Sequence, residues 1–311
     1  FGSYEKKATL EECFLNSQYT NRLCGYYADH GVIITTDIHG LIPSFTFPLS
    51  VNIATIVIDS LAAAEQGVKS IVPQLHCMGN MAQDIAYAKV TPKLMREYLD
   101  KFGFTDVAIP GTFNNKIPLY PVPQSIGGAF AFMCYSAVVA TLGKTQASYV
   151  STMDEGAGIP TKEAHRLSYE AANWIFNVVE TQDIKLEIEG TDIEEKMTEL
   201  EVKAIVDRVT ELGNGDVLVG SLKAVEAGII DSPFSPNIHM KDDVLGTKDS
   251  RGACRYLEFG NLPFSEDIKK FHRDKVAERE KKEGRKIDYQ AVIDDFWAFS
   301  KGKIIGNYPP D

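Results

Sequence analysis

YVSTMDEGAGIPTKEA, residues 149–164, reads as a strand end, a loop carrying two acids, and a helix start, in that order. Ala147, Tyr149 and Val150 suit a buried strand, and Ser151 to Gly158 form a loop of small residues. Pro160 falls at a first-turn position, where its fixed φ helps and its missing N–H costs nothing. Beyond it Ala164, Leu167, Ala171, Ile175 and Val178 step by threes and fours down one apolar face of a helix. Asp154 and Glu155 therefore sit just past a strand C-terminus, the end at which α/β folds hold ligands.

The same strand-then-helix unit recurs upstream. VIITT at 32–36 reads as a buried strand, KSIVPQL at 69–75 as a second, DVAIPG at 106–111 as a third, and 147–151 as a fourth. The helices between them are as regular. Thr9-Leu-Glu-Glu12 is a capping box for a helix to about Asp29. Phe47-Pro48-Leu49 opens a second helix that Gly67 closes. A third runs from Asn80 to about Phe102, with Thr91-Pro92 expected to kink or divide it, and a fourth ends at Gly143. A strand every 40 residues or so predicts consecutive βα units with right-handed crossovers, in a doubly wound sheet or a (β/α)8 barrel. Polar residues follow every strand: Asp37 and His39, His76 and Cys77, Asn114 and Asn115, Asp154 and Glu155. Candidates gathered on one face favour the barrel. Four units make half of one, and the chain opens at Phe1 without methionine, so the expectation is an N-terminally incomplete chain.

After Gln182 the composition changes. Residues 193–212 read as a charged amphipathic helix closed by Gly213, with a helix–helix turn at 213–216 and a shorter helix beyond. Residues 231–252 read as a Ser-, Pro-, Gly- and Asp-rich loop and 253–260 as a strand. Ser265 caps a helix whose alternating charges suggest a solvated surface. The expected division is 1–182 for the four βα units and 183–311 for a mostly helical α+β extension.

The 311 residues carry a net charge of −11, which argues against a nucleic-acid surface. No apolar run approaches the roughly 20 residues that span a bilayer, and there is no signal peptide. Five cysteines without CxxC spacing suit a reduced cytoplasm. Single motifs are weak. Asp37-Ile-His39-Gly40 approaches the DxHxxG pattern of cobalamin binders, but Ile42 holds the sixth position, leaving an ordinary strand-end loop as the better reading. His76-Cys77 has no second ligand pair to suggest a metal. The Asp154–Glu155 pair is better placed, though loop acids are more often solvated than catalytic. The residues alone identify no catalytic group.

Longer segments are more specific. LAAAEQGVKSI (61–71), GNMAQDIAYAKV (79–90), GAGIPTKEA (156–164), RYLEFGNLPF (255–264) and GRKIDYQAVIDD with SKGKIIG (284–306) closely resemble the epsilon, or large, subunit of glutamate mutase, also called methylaspartate mutase. The resemblance runs from Tyr4 to Gly306. It implies the C-terminal half of a (β/α)8 TIM barrel followed by the extension, and an adenosylcobalamin-dependent radical rearrangement of L-glutamate to L-threo-3-methylaspartate, or of a similar amino acid. It also implies a cytoplasmic assembly with a small cobalamin-binding subunit of the DxHxxG type and a homodimer of large subunits. The substrate-holding arginines would lie upstream of Phe1.

Carried across residue by residue, the resemblance makes Tyr4 a substrate ligand. It brings Ser3, Tyr120, Ser151, Glu155, Ile159 and Trp297 to the coenzyme, with Glu155 on the adenosyl ribose and Ile159 and Trp297 as its apolar neighbours. Ser3 stands for a proline, Tyr120 for a phenylalanine, Trp297 for another aromatic and Ser151 for a lysine. Asn114 and Asn115 replace histidine and glutamine, His39 a phenylalanine, and Thr36 with Asp37 an arginine–glutamate pair. Glu155 keeps two acceptors for a ribose diol. Lysine to serine removes a charge and several ångströms of reach, so what that lysine held is held differently here, while Glu155 leaves the adenosine half of the site better kept than the rest. The competing readings are a non-catalytic relative that binds without turnover, and a related radical mutase with another substrate.

Overall fold

The computed structural model describes residues 7–41, 44–115, 122–235 and 237–306. Its organising feature is a parallel four-stranded sheet, β1 (Thr35–Ile38), β2 (Ser70–His76), β3 (Phe113–Asn115) and β4 (Ala147–Tyr149), paired in sequence order. Between the strands run α1 (Leu10–Asp29, ahead of β1), α2 (Ser50–Glu65), α3 (Met81–Lys101) and α4 (Ile126–Leu142); α5 (Lys162–Thr181) follows β4. Then come α6 (Thr191–Leu212), α7 (Val217–Glu226), the antiparallel hairpin β5 (Val244–Lys248) and β6 (Cys254–Phe259), α8 (Glu266–Glu283) and α9 (Tyr289–Ala298). The class is α/β. No helix among the described residues is long and apolar enough to cross a membrane.

Local chemistry sets most of the ends. Thr9 and Glu12 form the reciprocal capping box of α1. Asn80, Ser125, Asp216 and Ser265 cap α3, α4, α7 and α8 through their side chains. One apolar core runs from Leu10 on α1 through α2 and α3 to Ile205 on α6 and Ile268 on α8. Ile38, Ile71 and Leu75 are the sheet's contribution to it.

Several elements depart from expectation. The third strand is at 113–115; within 106–111 only Ala108 pairs, bridging Ser70. Pro110 has no N–H to donate, so the ladder breaks there and resumes after Gly111. Pro73 does the same service usefully in β2: pairing with β1 ends at Pro73 and pairing with β3 begins at Gln74. α3 runs undivided through Pro92, and the Thr91 hydroxyl donates to the Tyr87 carbonyl one turn back. Pro160 lies before the N-cap Thr161 rather than inside the first turn of α5. Val32 and Ile33 are exposed, and so is Tyr149, because β1 and β4 are the two sheet edges.

The second half departs further. Residues 244–248 form a strand, not a loop. Gly246 marks a register shift in the hairpin, and a Cβ there would stand 2.5 Å from the Thr46 carbonyl oxygen. α8 is not a solvated rod, because His272 and Arg279 are buried. His272 accepts at Nδ1 from the Tyr256 N–H and meets Glu201 at 2.9 Å. Arg279 is held by Asp295 in a two-pronged pair at 2.6 and 2.9 Å. Asp295 also accepts from Thr247 Oγ1, Lys248 N and Gly306 N, so it joins β5, α8, α9 and the chain beyond them.

Asp295→Ala would leave the Arg279 charge buried with its main partner gone. The expected cost is about 3–5 kcal/mol in urea unfolding; a loss below about 1 kcal/mol would mean that the network relaxes without it.

Candidate functional site

Strand alternation sorts the sheet into two unlike faces. Ile38, Ile71 and Leu75 point back into the helix-packed core. Thr35, Asp37, Ser70, Val72, Gln74, Phe113 and Tyr149 share the front by register. The front is curled. In a flat sheet three gaps of about 4.8 Å would put β1 and β4 roughly 14 Å apart. Yet the Tyr149 hydroxyl on β4 donates to Asp37 Oδ2 on β1 at 3.0 Å. Tyr149 also meets the Phe113 ring edge-on at 5.7 Å. Burial, and then the neighbouring Asp37 charge, push the Tyr149 phenol pKa up. Thr35 and Ser70 pair through their hydroxyls lower on the same face.

The loops leaving the strand C-termini form the rim, and each is pinned. After β1, His39 Nε2 stands 3.2 Å from Asp37 Oδ2. Gly40 adopts φ +64, and a Cβ there would lie 2.6 Å from the Asn52 carbonyl oxygen. Asn52 Nδ2 donates to the carbonyls of His39 and Leu41, and Thr55 Oγ1 accepts from Leu41 N, so α2 fixes this loop. After β2, Asp84 accepts from Met78 N, Gly79 N and the Tyr135 hydroxyl. After β4, Asp154 Oδ2 accepts from Thr161 N and Oγ1, closing the loop onto α5. The Thr161 N–H above all holds the Asp154 pKa down. That assigns Asp154 a structural task and separates it from Glu155.

The C-terminal chain reaches this rim. Lys248 is buried; its Nζ donates to Met78 O at 2.7 Å, lies 3.2 Å from Cys254 Sγ and stands over the Phe45 ring. Phe299, in the 3-10 turn Phe299–Lys301, stacks on Phe45 and meets Phe132 edge-on. Ser300 O accepts from Gln124 N, and Ser300 Oγ donates to Trp297 O. A Cβ on Gly156 would stand 2.7 Å from Val122 and 3.3 Å from the Pro123 carbonyl. The 122–124 segment thus touches both the 3-10 turn Glu155–Ala157 and the turn behind Trp297.

Of the residues expected at the site, Ser3, Tyr4 and Tyr120 lie outside the described residues. Glu155 is exposed on its turn, Ser151 is half-buried just past β4, Ile159 is 96 % exposed and Trp297 is 51 % exposed. Sequence reasoning missed Asp84, Gln74 and the Asp37–Tyr149 bridge. A signal existed for Gln74. Ser70, Gln74 and His76 alternate with Ile71 and Leu75, a polar face inside what reads as a fully buried strand.

Comparison with known proteins accounts for nearly the whole chain. Residues 1–308 match the family described as Methylaspartate mutase E chain (MutE). The chain belongs to that family. A glutamate mutase epsilon subunit from Desulfitobacterium hafniense (strain Y51) is 39 % identical over 97 % of this chain and 62 % of its own length. One from Treponema denticola is 36 % identical over the same shares, and one from Haloarcula marismortui 32 % identical over 97 % of this chain and 61 % of its own. The chain thus spans about three-fifths of the length of these E-chain relatives.

Asp84, clamping the loop after β2, carries a pH signature. Burial raises its pKa from 3.8 to about 6, with the bonds from Tyr135 and Met78 opposing. Between those values the folded chain binds more protons than the unfolded one. Its contribution is therefore full below pH 4 and is lost as pH rises through 6. Relative to Asp84→Asn, the wild type should lose roughly 3 kcal/mol of stability between pH 4 and 7 in denaturant titrations. A difference that is flat with pH would mean that Asp84 is ionised throughout.

Proposed function

We propose that this chain is the substrate-barrel portion of a large mutase subunit that rearranges L-glutamate or a closely similar amino acid with adenosylcobalamin. The observation that carries the reading is the loop after β4. Family membership directs attention to it, and the fold sets Glu155 and Ile159 at a strand C-terminus with Trp297 behind the adjoining segment.

The barrel architecture has its own support. A doubly wound sheet reverses its strand order at a switch point, whereas these four parallel strands keep sequence order and curl until opposite edges meet. We assign residues 1–182 to the barrel half and 183–311 to the extension that braces its rim.

The donor set fits the adenosine end of the coenzyme. A ribose diol asks for a carboxylate acceptor, and the base asks for apolar faces. Glu155 is an exposed carboxylate, and Ile159 and Trp297 expose apolar surface that water solvates poorly. Ser151 would add a short hydroxyl, Tyr120 and Ser3 would complete the wall, and Tyr4 would contact the substrate. The radical chemistry is the coenzyme's; these residues bind, orient and exclude water. The relatives' name, epsilon subunit, supports a partner. We assign that partner as a small cobalamin-carrying subunit at the rim and, by the same resemblance, a second large subunit. The acidic chain and its five cysteines without CxxC spacing suit the cytoplasm.

Ser151, in the place of a lysine, favours the second reading, a relative that binds the coenzyme without turning substrate over. Single-turnover product analysis on the coenzyme-loaded assembly separates the two readings.

Glu155→Gln tests the site. In the complete two-subunit assembly it should weaken adenosylcobalamin binding about tenfold or more, the loss of a charge-assisted hydrogen bond. Methylcobalamin, which has no ribose beside cobalt, should be nearly indifferent. Equal losses for both cofactors would assign Glu155 to folding or docking, and no loss would leave it a solvated acid.

A further inference from the structure

The hairpin of the extension ends on a pair of reactive side chains. Lys248 and Cys254 are the last register partners of β5 and β6, so they leave one face of the hairpin side by side. Both are 0 % exposed. Lys248 Nζ stands 3.2 Å from Cys254 Sγ, and that sulfur donates in turn to the Phe45 carbonyl at 3.5 Å. The other contacts of the ammonium are the Met78 carbonyl oxygen at 2.7 Å and the Phe45 ring. None of these is a carboxylate. The buried cations Arg255 and Arg279 are treated otherwise, each held by two acids. A buried charge with no counter-ion against it is costly, so a change that discharged Lys248 would relieve the site.

The frame beneath the pair is fixed. Lys248 N donates to Asp295 Oδ2, and Lys248 O accepts from Arg279. Gln83 accepts the Cys254 N–H and donates to the Cys254 carbonyl. Amine and thiol are thus held together by backbone bonds on both strands, and fixed proximity of this kind favours their joining.

We propose that Lys248 and Cys254 form a modification site, at which dioxygen links them through an N–O–S bridge. The step balances as Lys–NH3+ + Cys–SH + O2 → Lys–NH–O–S–Cys + H2O + H+. Nitrogen and sulfur each give up two electrons, and dioxygen accepts all four. One of its atoms enters the bridge and the other leaves as water. Dioxygen is small and apolar, the kind of oxidant that a closed pair packed on Phe45 admits. An inserted oxygen keeps nitrogen and sulfur near their present spacing, whereas a direct N–S bond would need roughly half of it. The bridge discharges Lys248. The loop after β2 then loses the cation that holds the Met78 carbonyl and opposes protonation of Asp84, so the hairpin reports oxygen exposure to the rim. The inference needs only the hairpin and stands apart from the mutase reading.

The test is peptide mass mapping of the complete two-subunit assembly, prepared under argon with a dithiol and then divided between argon and air-saturated buffer. After trypsin, the aerated half should give residues 242–251 joined to 252–255 and uncut at Lys248. The joined species should outweigh the two pieces together by one oxygen less two hydrogens. The argon half should lack it, and excess dithiol should return the ordinary fragments 242–248, 249–251 and 252–255. Lys248→Arg, which keeps the charge without the amine, should lose the species. Wild type aerated in urea should lose it too, a control that needs no variant. Equal yield in urea would make the link a chance reaction and overturn the built site. Cys254 carrying oxygen while trypsin still cuts at Lys248, a joined species without the oxygen, or an aerated half identical to the argon half would each overturn the bridge. None of these outcomes bears on the cofactor titrations of Glu155→Gln.

Discussion

The hydroxyl of Tyr149 donating to Asp37 ties the two edges of the sheet together across its front, and the site depends on that tie. Neither strand could reach the other if the sheet were flat. The curl follows from how the faces are sorted. The back is apolar and packs on α2 and α3, burying Ile38, Ile71 and Leu75 in one continuous core. The front is polar and satisfies itself in part by pairing across the concavity, Thr35 with Ser70 and Asp37 with Tyr149. A polar front inside a parallel sheet is costly unless it is paired or waiting for a ligand. Here the pairing across the concavity meets part of that cost.

Around that front, a rim is held rigid from behind. The loop after β2 is clamped by Asp84 from within α3 and by Lys248 from the hairpin, while Asn52 holds the loop after β1 from α2. Arg255 spans Glu194 and Asp249, and Gln83 bridges Glu194 to the Cys254 backbone, so α3, α6 and β6 are tied together by buried polar bonds. Buried ion pairs of this kind are poor sources of net stability but severe penalties against any rearrangement that breaks them. Their effect is geometric: the extension fixes where the strand-end loops stand.

Much of this was legible in the sequence, for identifiable reasons. Helix ends were clear because caps are local: Thr9 with Glu12, Gly143 and Ser265 need only their neighbours. Strand order was legible from the spacing of apolar runs. Strand placement failed at Pro110, where an apolar run and a hydrogen-bonding run are different things. β5 was hidden because Gly246 and Lys248 look like loop residues until the Thr46 backbone and the Met78 carbonyl are beside them. The buried face of α8 was hidden for the same reason, since Arg279 reads as solvent-facing without Asp295, sixteen residues on. At the site, the strand-end position of Glu155 was readable from one loop. The Asp37–Tyr149 bridge joins residues 112 apart and depends on curvature, which no local pattern encodes.

The curl is therefore the claim on which the rest stands, and a double-mutant cycle measures it directly. Asp37→Ala, Tyr149→Phe and the double variant are compared with wild type by urea unfolding. A hydrogen bond to a carboxylate across the concavity should appear as a coupling energy of about 1 kcal/mol or more. Effects that add to within about 0.3 kcal/mol would mean that the two edges do not meet in solution, and the concave site would fall with them.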